Sequence, residues 1–406
     1  MQKMGRMKKL CCATLMLGMM LPQVVGSGNV SEAASGTWRH TSKGWWYSYS
    51  DGSYAVNDWV QYGGKWYYFG ADGYMVTGWK QIGKKWYFFG KDGAMVTGWK
   101  QEGGKWYYFD KNGAMVTGWK MIGRKWYFFA NGKMITGWKK IGGNWYFFAN
   151  GIMVTGATKI KGKVYLFGDD GAWIDLSQLK AGDVITLGEY EQDNNLSNGQ
   201  EPIEWTVLDN KKDGTLLVVS KYILDGKKYN EEKADVTWET CTLRTWLNST
   251  FLDTAFTEDE QAFIAKSTVK NADNPEYGTK GGNNTKDQIF LLSYDEAKKY
   301  FRDKIFYDRE DHPEEEIYSD ERKCAPTLYA EAQGVDLMDI DEEWAEAYEM
   351  LFAHGSNWWL RSPGEESDYA MVTGMEGRVY EDGYEVDFVS YYSKLVGVRP
   401  AMIIIP

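Results

Sequence analysis

The sequence predicts a mixed architecture: a β-hairpin solenoid of about seven repeats followed by an α+β domain. Three observations predict it. A block recurs at 19–20-residue spacing between Asp58 and Gly156, and self-similarity at such a period marks stacked units that cannot bury their own apolar face. Each block carries a Trp, then a Gly-containing turn, then an aromatic quartet. From about Leu176 the period stops, and short strand patterns mix with helix-capping signals without a βαβ rhythm.

At the N-terminus, Lys3, Arg6, Lys8 and Lys9 precede an apolar run from Leu10 to Val25. A basic start and a short, Pro-interrupted apolar run read as a secretory signal, residues 1–34, with cleavage after Ala33 or Ala34. Cys11 and Cys12 sit inside that run as passengers, leaving Cys241 and Cys324, whose pairing the sequence leaves open. No later segment is apolar enough to span a membrane and no LPxTG-type sorting signal ends the chain, so surface retention is expected to fall to the repeats.

The repeat, residues 36–175, can be built from elementary geometry. Ile82-Gly83-Lys84-Lys85 reads as a two-residue hairpin turn, with Gly supplying positive φ. Pairing outward sets Gln81 opposite Trp86 and Trp79 opposite Phe88. Side chains alternate, so Trp79 and Trp86 share a face as diagonal neighbours. The same holds for Trp59/Trp66, Trp99/Trp106, Trp119/Trp126 and Trp138/Trp145. Tyr87 and Phe89 point to the other face and stack on neighbouring hairpins. Asp92-Gly93 turns the chain into the next block. Gly36–Asn57 is an imperfect first block with Trp46 one period before Trp66. Gly156–Asp175 is a worn last block, with Ala157 in place of the Trp and Val164-Tyr165-Leu166-Phe167 in place of the quartet, and it offers no cage of its own.

An aromatic stripe is more commonly core than ligand site. A core accounts for the Tyr and Phe but does not require a Trp pair on one face five times. Two Trp faces without a nearby counter-charge suit a quaternary ammonium, which the ring quadrupole attracts within about 6 Å.

The block Gly78-Trp79 … Trp86-Tyr-Phe-Phe89 … Gly93-Ala-Met95-Val-Thr97-Gly98 closely resembles the choline-binding (cell-wall-binding) repeats of Gram-positive surface proteins. That resemblance implies a β-solenoid binding choline or phosphocholine on teichoic acids, in cages of two hairpin Trp and one aromatic of the next repeat. The expected sets are Trp59, Trp66 and Tyr87; Trp79, Trp86 and Tyr107; Trp99, Trp106 and Tyr127; Trp119, Trp126 and Tyr146; and Trp138, Trp145 and Tyr165. Related glucan-binding and toxin-type repeats use similar hairpins, so glucan is the alternative ligand. Charge divides the chain: residues 36–175 hold 19 Lys/Arg against 9 Asp/Glu, whereas 176–406 hold 23 against 47. A basic repeat region suits an anionic polymer, and the acidic half argues against nucleic acid.

In residues 177–406, strands are expected at Val184–Leu187, Ile203–Leu208, Thr215–Ser220, Ile289–Ser293, Trp358–Ser362, Ala370–Thr373, Arg378–Tyr380, Tyr384–Val389 and Gly397–Ile405. Capping boxes at Thr257…Glu260 and Ser293…Glu296 open helices, and another helix is expected over Asp341–Phe352. Glu201-Pro-Ile-Glu-Trp205, Thr237–Arg244, Trp359-Leu-Arg-Ser-Pro-Gly364 and Gly397-Val-Arg-Pro-Ala401 resemble an uncharacterised domain family of bacterial surface proteins. The closing phrases are loosely similar to C-type-lectin-like and formylglycine-generating-enzyme folds.

Chemistry is not announced here. His312 and His354 lack metal or triad spacing, though His354 could serve as a base. Asp308–Glu316 is an acidic run without an alternating ligand pattern. Arg361 and Arg399 sit in apolar strands and require carboxylate or carbonyl acceptors. Trp358, Trp359, Tyr380, Tyr384, Tyr391 and Tyr392 suggest an aromatic face for sugar or protein. No catalytic, metal or cofactor residue is assigned. The expected protein is secreted and cell-wall associated, with 177–406 a ligand-binding, adhesin-like module; the alternative is an envelope-modifying enzyme such as a cell-wall-targeted hydrolase.

Overall fold

The structure, a computed structural model, describes residues 35–211, 213–307, 315–335, 355–389 and 394–405. Residues 1–34, expected to be a secretory signal, His312, His354, the helix expected over Asp341–Phe352, most of the acidic run, Tyr391 and Tyr392 lie outside them. The described residues divide into two compact units, within Met1–Lys120 plus Phe128–Met134 and within Met121–Tyr127 plus Ile135–Pro406.

The first unit is built of repeated hairpins: Gly36–Thr41 with Gly44–Tyr49, Asp58–Tyr62 with Lys65–Phe69, Gly78–Ile82 with Lys85–Phe89, and Gly98–Glu102 with Lys105–Phe109. Their register is the one the two-residue turn dictates: Gln81 opposes Trp86, and Trp79 opposes Phe88. At Gly63-Gly64 both turn residues have positive φ, 56° and 74°, the twist a two-residue hairpin needs. Successive hairpins are joined by backbone: the amides of Met75, Met95 and Met115 donate to the carbonyls of Trp45, Trp66 and Trp86 at 2.7, 2.7 and 2.8 Å. The last quartet residue forms the internal ladder, with Phe69, Phe89, Phe109 and Phe129 buried. Each linking Met lies over a turn glycine of a later block; a Cβ at Gly93 would overlap the Met75 sulfur.

The second unit contains the hairpins Gly137–Ile141/Asn144–Ala149 and Gly156–Ile160/Lys163–Phe167, and the α+β fold that follows. The departures in the last block have a packing reason. Leu166 belongs to the main apolar core of this unit, and Ala157, Val164 and Ile174 pack against it. Aliphatic side chains replace the aromatics where the hairpin meets the following domain.

That domain has two five-stranded sheets. One runs Val184–Tyr190, Glu201–Asn210, Leu216–Ser220, Ala401–Ile404, Ile289–Phe290, all antiparallel. The other runs Asp225–Gly226, Gly397–Val398, Trp358–Pro363, Tyr369–Thr373, Val379–Glu385, with one parallel pairing, Trp358 to Gly397. Both expected capping boxes are present, at Thr257/Glu260 and Ser293/Glu296.

Two expectations are corrected, and one element is new. The single strand Gly397–Ile405 is two, because Pro400 cannot donate to a ladder and the chain changes sheets there. Arg378–Tyr380 and Tyr384–Val389 are replaced by one strand, Val379–Glu385. A helical run, Thr242–Trp246, a π turn Leu247–Phe251 and Leu252–Ala255, was not expected; it buries Leu243, Leu247, Phe251 and Leu252.

Candidate functional site: aromatic clusters along the repeats

Alternation in each hairpin sets two Trp on one face, and the next hairpin supplies an aromatic beside them. Trp59 stands 6.4 Å from Trp66 between ring centroids, at an interplanar angle of 84°, and 5.1 Å from Tyr87. Trp79 is 6.3 Å from Trp86 and 4.8 Å from Tyr107. Trp138 is 6.4 Å from Trp145 and 5.0 Å from Tyr165. Trp99 and Trp106 repeat the pair at 6.2 Å. Perpendicular rings form two walls of a box rather than a closed stack.

Below each outer Trp lies the Phe ladder: Phe89 is 5.7 Å from Trp59, and Phe109 is 5.7 Å from Trp79. The second Trp of each pair stays open to solvent: Trp66, Trp86, Trp106, Trp126 and Trp145 are 40, 42, 42, 41 and 42 % exposed. Trp119 is 37 % exposed, and Tyr127 and Tyr146 are half-buried. Burial, then the charge of Asp110, raises the Tyr87 phenol above its ordinary value, so this wall is neutral at physiological pH. Asp92 holds its turn by accepting from the Ala94 amide at 3.1 Å. That bond first, and Lys65 at 3.2 Å second, keep its carboxyl below the usual range.

Two features escaped sequence reasoning. In the first hairpin His40 opposes Trp45 and Trp38 opposes Tyr47, so Trp45, not Trp46, occupies the register of Trp66. Trp38 is 6.3 Å from Trp45, 4.9 Å from Tyr67 and 5.6 Å from Phe69, the same arrangement as its successors. The seven-residue Trp38–Trp45 spacing signalled this, and the adjacent Trp46 hid it. The second is Trp173, which follows Gly171-Ala172 as Met95 follows Gly93-Ala94. It lies 6.3 Å from Trp138 at 82°.

In the second unit the expected chemistry is absorbed by the core. Trp358 and Trp359 are 0 % exposed, so they form no aromatic binding face; their indoles donate to the Arg322 and Lys227 carbonyls. Arg361 donates to the carbonyls of Leu291 and Lys270 and to Glu296. Arg399 donates to the Ser220 carbonyl and lies over the Trp358 ring at 5.0 Å. Cys241 and Cys324 are separate, buried, free thiols.

Residues 56–97, 76–117, 96–136, 116–153 and 135–174 each match the family described as choline-binding repeat. Residues 56–174 are choline-binding repeats. Residues 213–406 match a domain of unknown function, DUF6273. The Trp38/Trp45/Tyr67 cluster falls partly outside the repeat matches, which begin at residue 56. Among solved structures, choline binding protein F from Streptococcus pneumoniae, solved with a peptidoglycan analogue, is 38 % identical over 36 % of this chain and 54 % of its own (TM-score 0.34). CbpJ from Streptococcus pneumoniae is 36 % identical over 36 % of this chain and 55 % of its own (TM-score 0.34). The pneumococcal cell wall endolysin from phage Cp-1, complexed with choline, is 43 % identical over 30 % of this chain and 38 % of its own (TM-score 0.24). The chain thus spans about half the length of the first two, or less of the third. No curated protein matches the chain. No helix among the described residues is long and apolar enough to cross a membrane.

Proposed function

We propose that the choline-binding repeats hold this protein non-covalently on a choline-bearing envelope polymer such as teichoic acid, and that residues 177–406 are presented there as a ligand-binding, adhesin-like module of a secreted, cell-wall-associated protein. The observation that carries the first part is the recurring box of perpendicular, solvent-open Trp rings with a Tyr wall. A trimethylammonium group gains the quadrupole attraction of several faces and gives up little hydration. The lysine excess of the repeats attracts the polymer's phosphates.

Support for the second part is that Arg361, Arg399, Trp358 and Trp359, the side chains richest in chemistry there, serve the core. The acidic surface that remains suits recognition of a partner. The test is retention of the full chain on a choline-derivatised resin and its release by free choline. Release by a dextran-type glucan, with no effect of choline, contradicts the reading.

A further inference from the structure

The cluster around Trp138 differs from the others at one position. In the earlier blocks the residue whose amide donates to the second Trp carbonyl is a methionine: Met75 to Trp45, Met95 to Trp66, Met115 to Trp86. At the last cluster the same bond, 2.8 Å to the Trp145 carbonyl, is made by Trp173. Its ring is half-buried and stands at 82° to Trp138, as Trp145 does at 83° and Tyr165 at 71°. Counting the cross-strand Phe147, four aromatic side chains therefore stand edge-on around Trp138, where the Trp59 and Trp79 clusters have three and a thioether position.

There is a packing reason for the exchange. Met75, Met95, Met115 and Met153 lie over turn glycines of a later block, where a Cβ would overlap their sulfurs. After Trp173 no further block follows, so the larger ring has room. It is also tied to the following domain: Ile174, the next residue, packs against the core of residues 176–406.

We propose that Trp173 is a fourth aromatic wall, making Trp138/Trp145/Tyr165/Trp173 the tightest quaternary-ammonium site of the chain and the one whose filling stabilises the second compact unit. The inference rests on the choline reading of the repeats and adds a ranking of the sites that this reading does not contain. A further ring face facing a desolvated cation corresponds to roughly three- to tenfold tighter binding. The Lys163 ammonium, 5.7 Å from the Tyr165 centroid, opposes part of that gain, since it draws on the same ring. A ligand bound to one folded unit raises that unit's unfolding temperature by mass action.

The test is calorimetric titration of the full chain with choline, alongside thermal unfolding with and without choline. One equivalent titrating several-fold tighter than the rest is the expected wild-type result. Trp173→Met restores the residue of the other blocks and should merge that equivalent with the weaker class. Trp173→Phe should retain most of the difference. In the wild type, the transition of the second unit should respond at the lowest choline concentrations. A wild-type isotherm with a single affinity class overturns the inference while leaving choline binding intact, and so does a tight equivalent that Trp173→Met leaves unchanged, which would make Trp173 an end cap only. Absence of any choline heat overturns the proposed function itself.

Discussion

Removing Trp66 and removing Trp59 should have different consequences, and the difference separates a binding wall from a core side chain. Trp66 is 40 % exposed and meets Trp59 edge-on at 6.4 Å. Trp59 is half-buried between Tyr68, Tyr87 and Phe89, at 5.1, 5.1 and 5.7 Å. Trp66→Ala therefore loses one edge contact, about 1 kcal/mol of stability, and one cation-facing ring, about 1–2 kcal/mol of local affinity or roughly 5–30-fold. Trp59→Ala also opens a gap against three rings and should cost about 3 kcal/mol of stability. Choline titration of the full chain should show about one equivalent fewer for Trp66→Ala, with the unfolding temperature lowered by only a few degrees. Retention on a multivalent surface should fall much less than the single site does, because neighbouring clusters keep the effective concentration high. Undiminished stoichiometry with a large loss of stability would refute the reasoning and make the Trp pair core.

Other outcomes follow from the second unit. Arg361→Ala leaves the Leu291 and Lys270 carbonyls and Glu296 without their donor; it should cost about 3–5 kcal/mol and lower that unit's melting midpoint by roughly 10 °C in calorimetry, with binding by the first unit unchanged. Asp225 is buried beside Tyr190, whose hydroxyl donates to it at 2.7 Å, and burial holds its carboxyl above the usual range. The folded state therefore holds this proton more tightly than the unfolded one, and the carboxyl's contribution to stability declines as pH rises from its ordinary value through its raised folded value. Asp225→Asn should flatten this part of the pH–stability profile in denaturant titrations, and an unaltered slope would contradict the assignment. Burial pushes the Cys241 thiol up to about 12, and Cys324 is raised by the same cause. Peptide mapping should find both unmodified by iodoacetamide in the folded chain, alkylated after denaturation, and not joined in a disulfide.

The repeats were legible because period-two alternation and a two-residue turn leave a hairpin only one register, so the pairing of Gln81 with Trp86 follows from counting. The shift from Trp46 to Trp45 shows the limit: two adjacent Trp satisfy the stripe equally, and the turn at Ser42-Lys43, which lacks glycine, was a weaker anchor. In the second unit, local signals held where they were local, as at the Thr257 and Ser293 capping boxes. Burial of Trp358 and Trp359 was not readable, because it depends on residues distant in sequence: Arg322 for Trp358, and Lys227 and Tyr229 for Trp359. The chain's change of sheet at Pro400 carried its signal in the proline itself.

The most direct test of the account compares sedimentation of the full chain with cell walls whose teichoic acid carries choline and with walls carrying ethanolamine instead. Both groups are cationic, but the primary ammonium is strongly hydrated and gains less from an aromatic box. The account predicts co-sedimentation with the choline walls, reversed by free choline, and little with the ethanolamine walls. Equal sedimentation with both would contradict it.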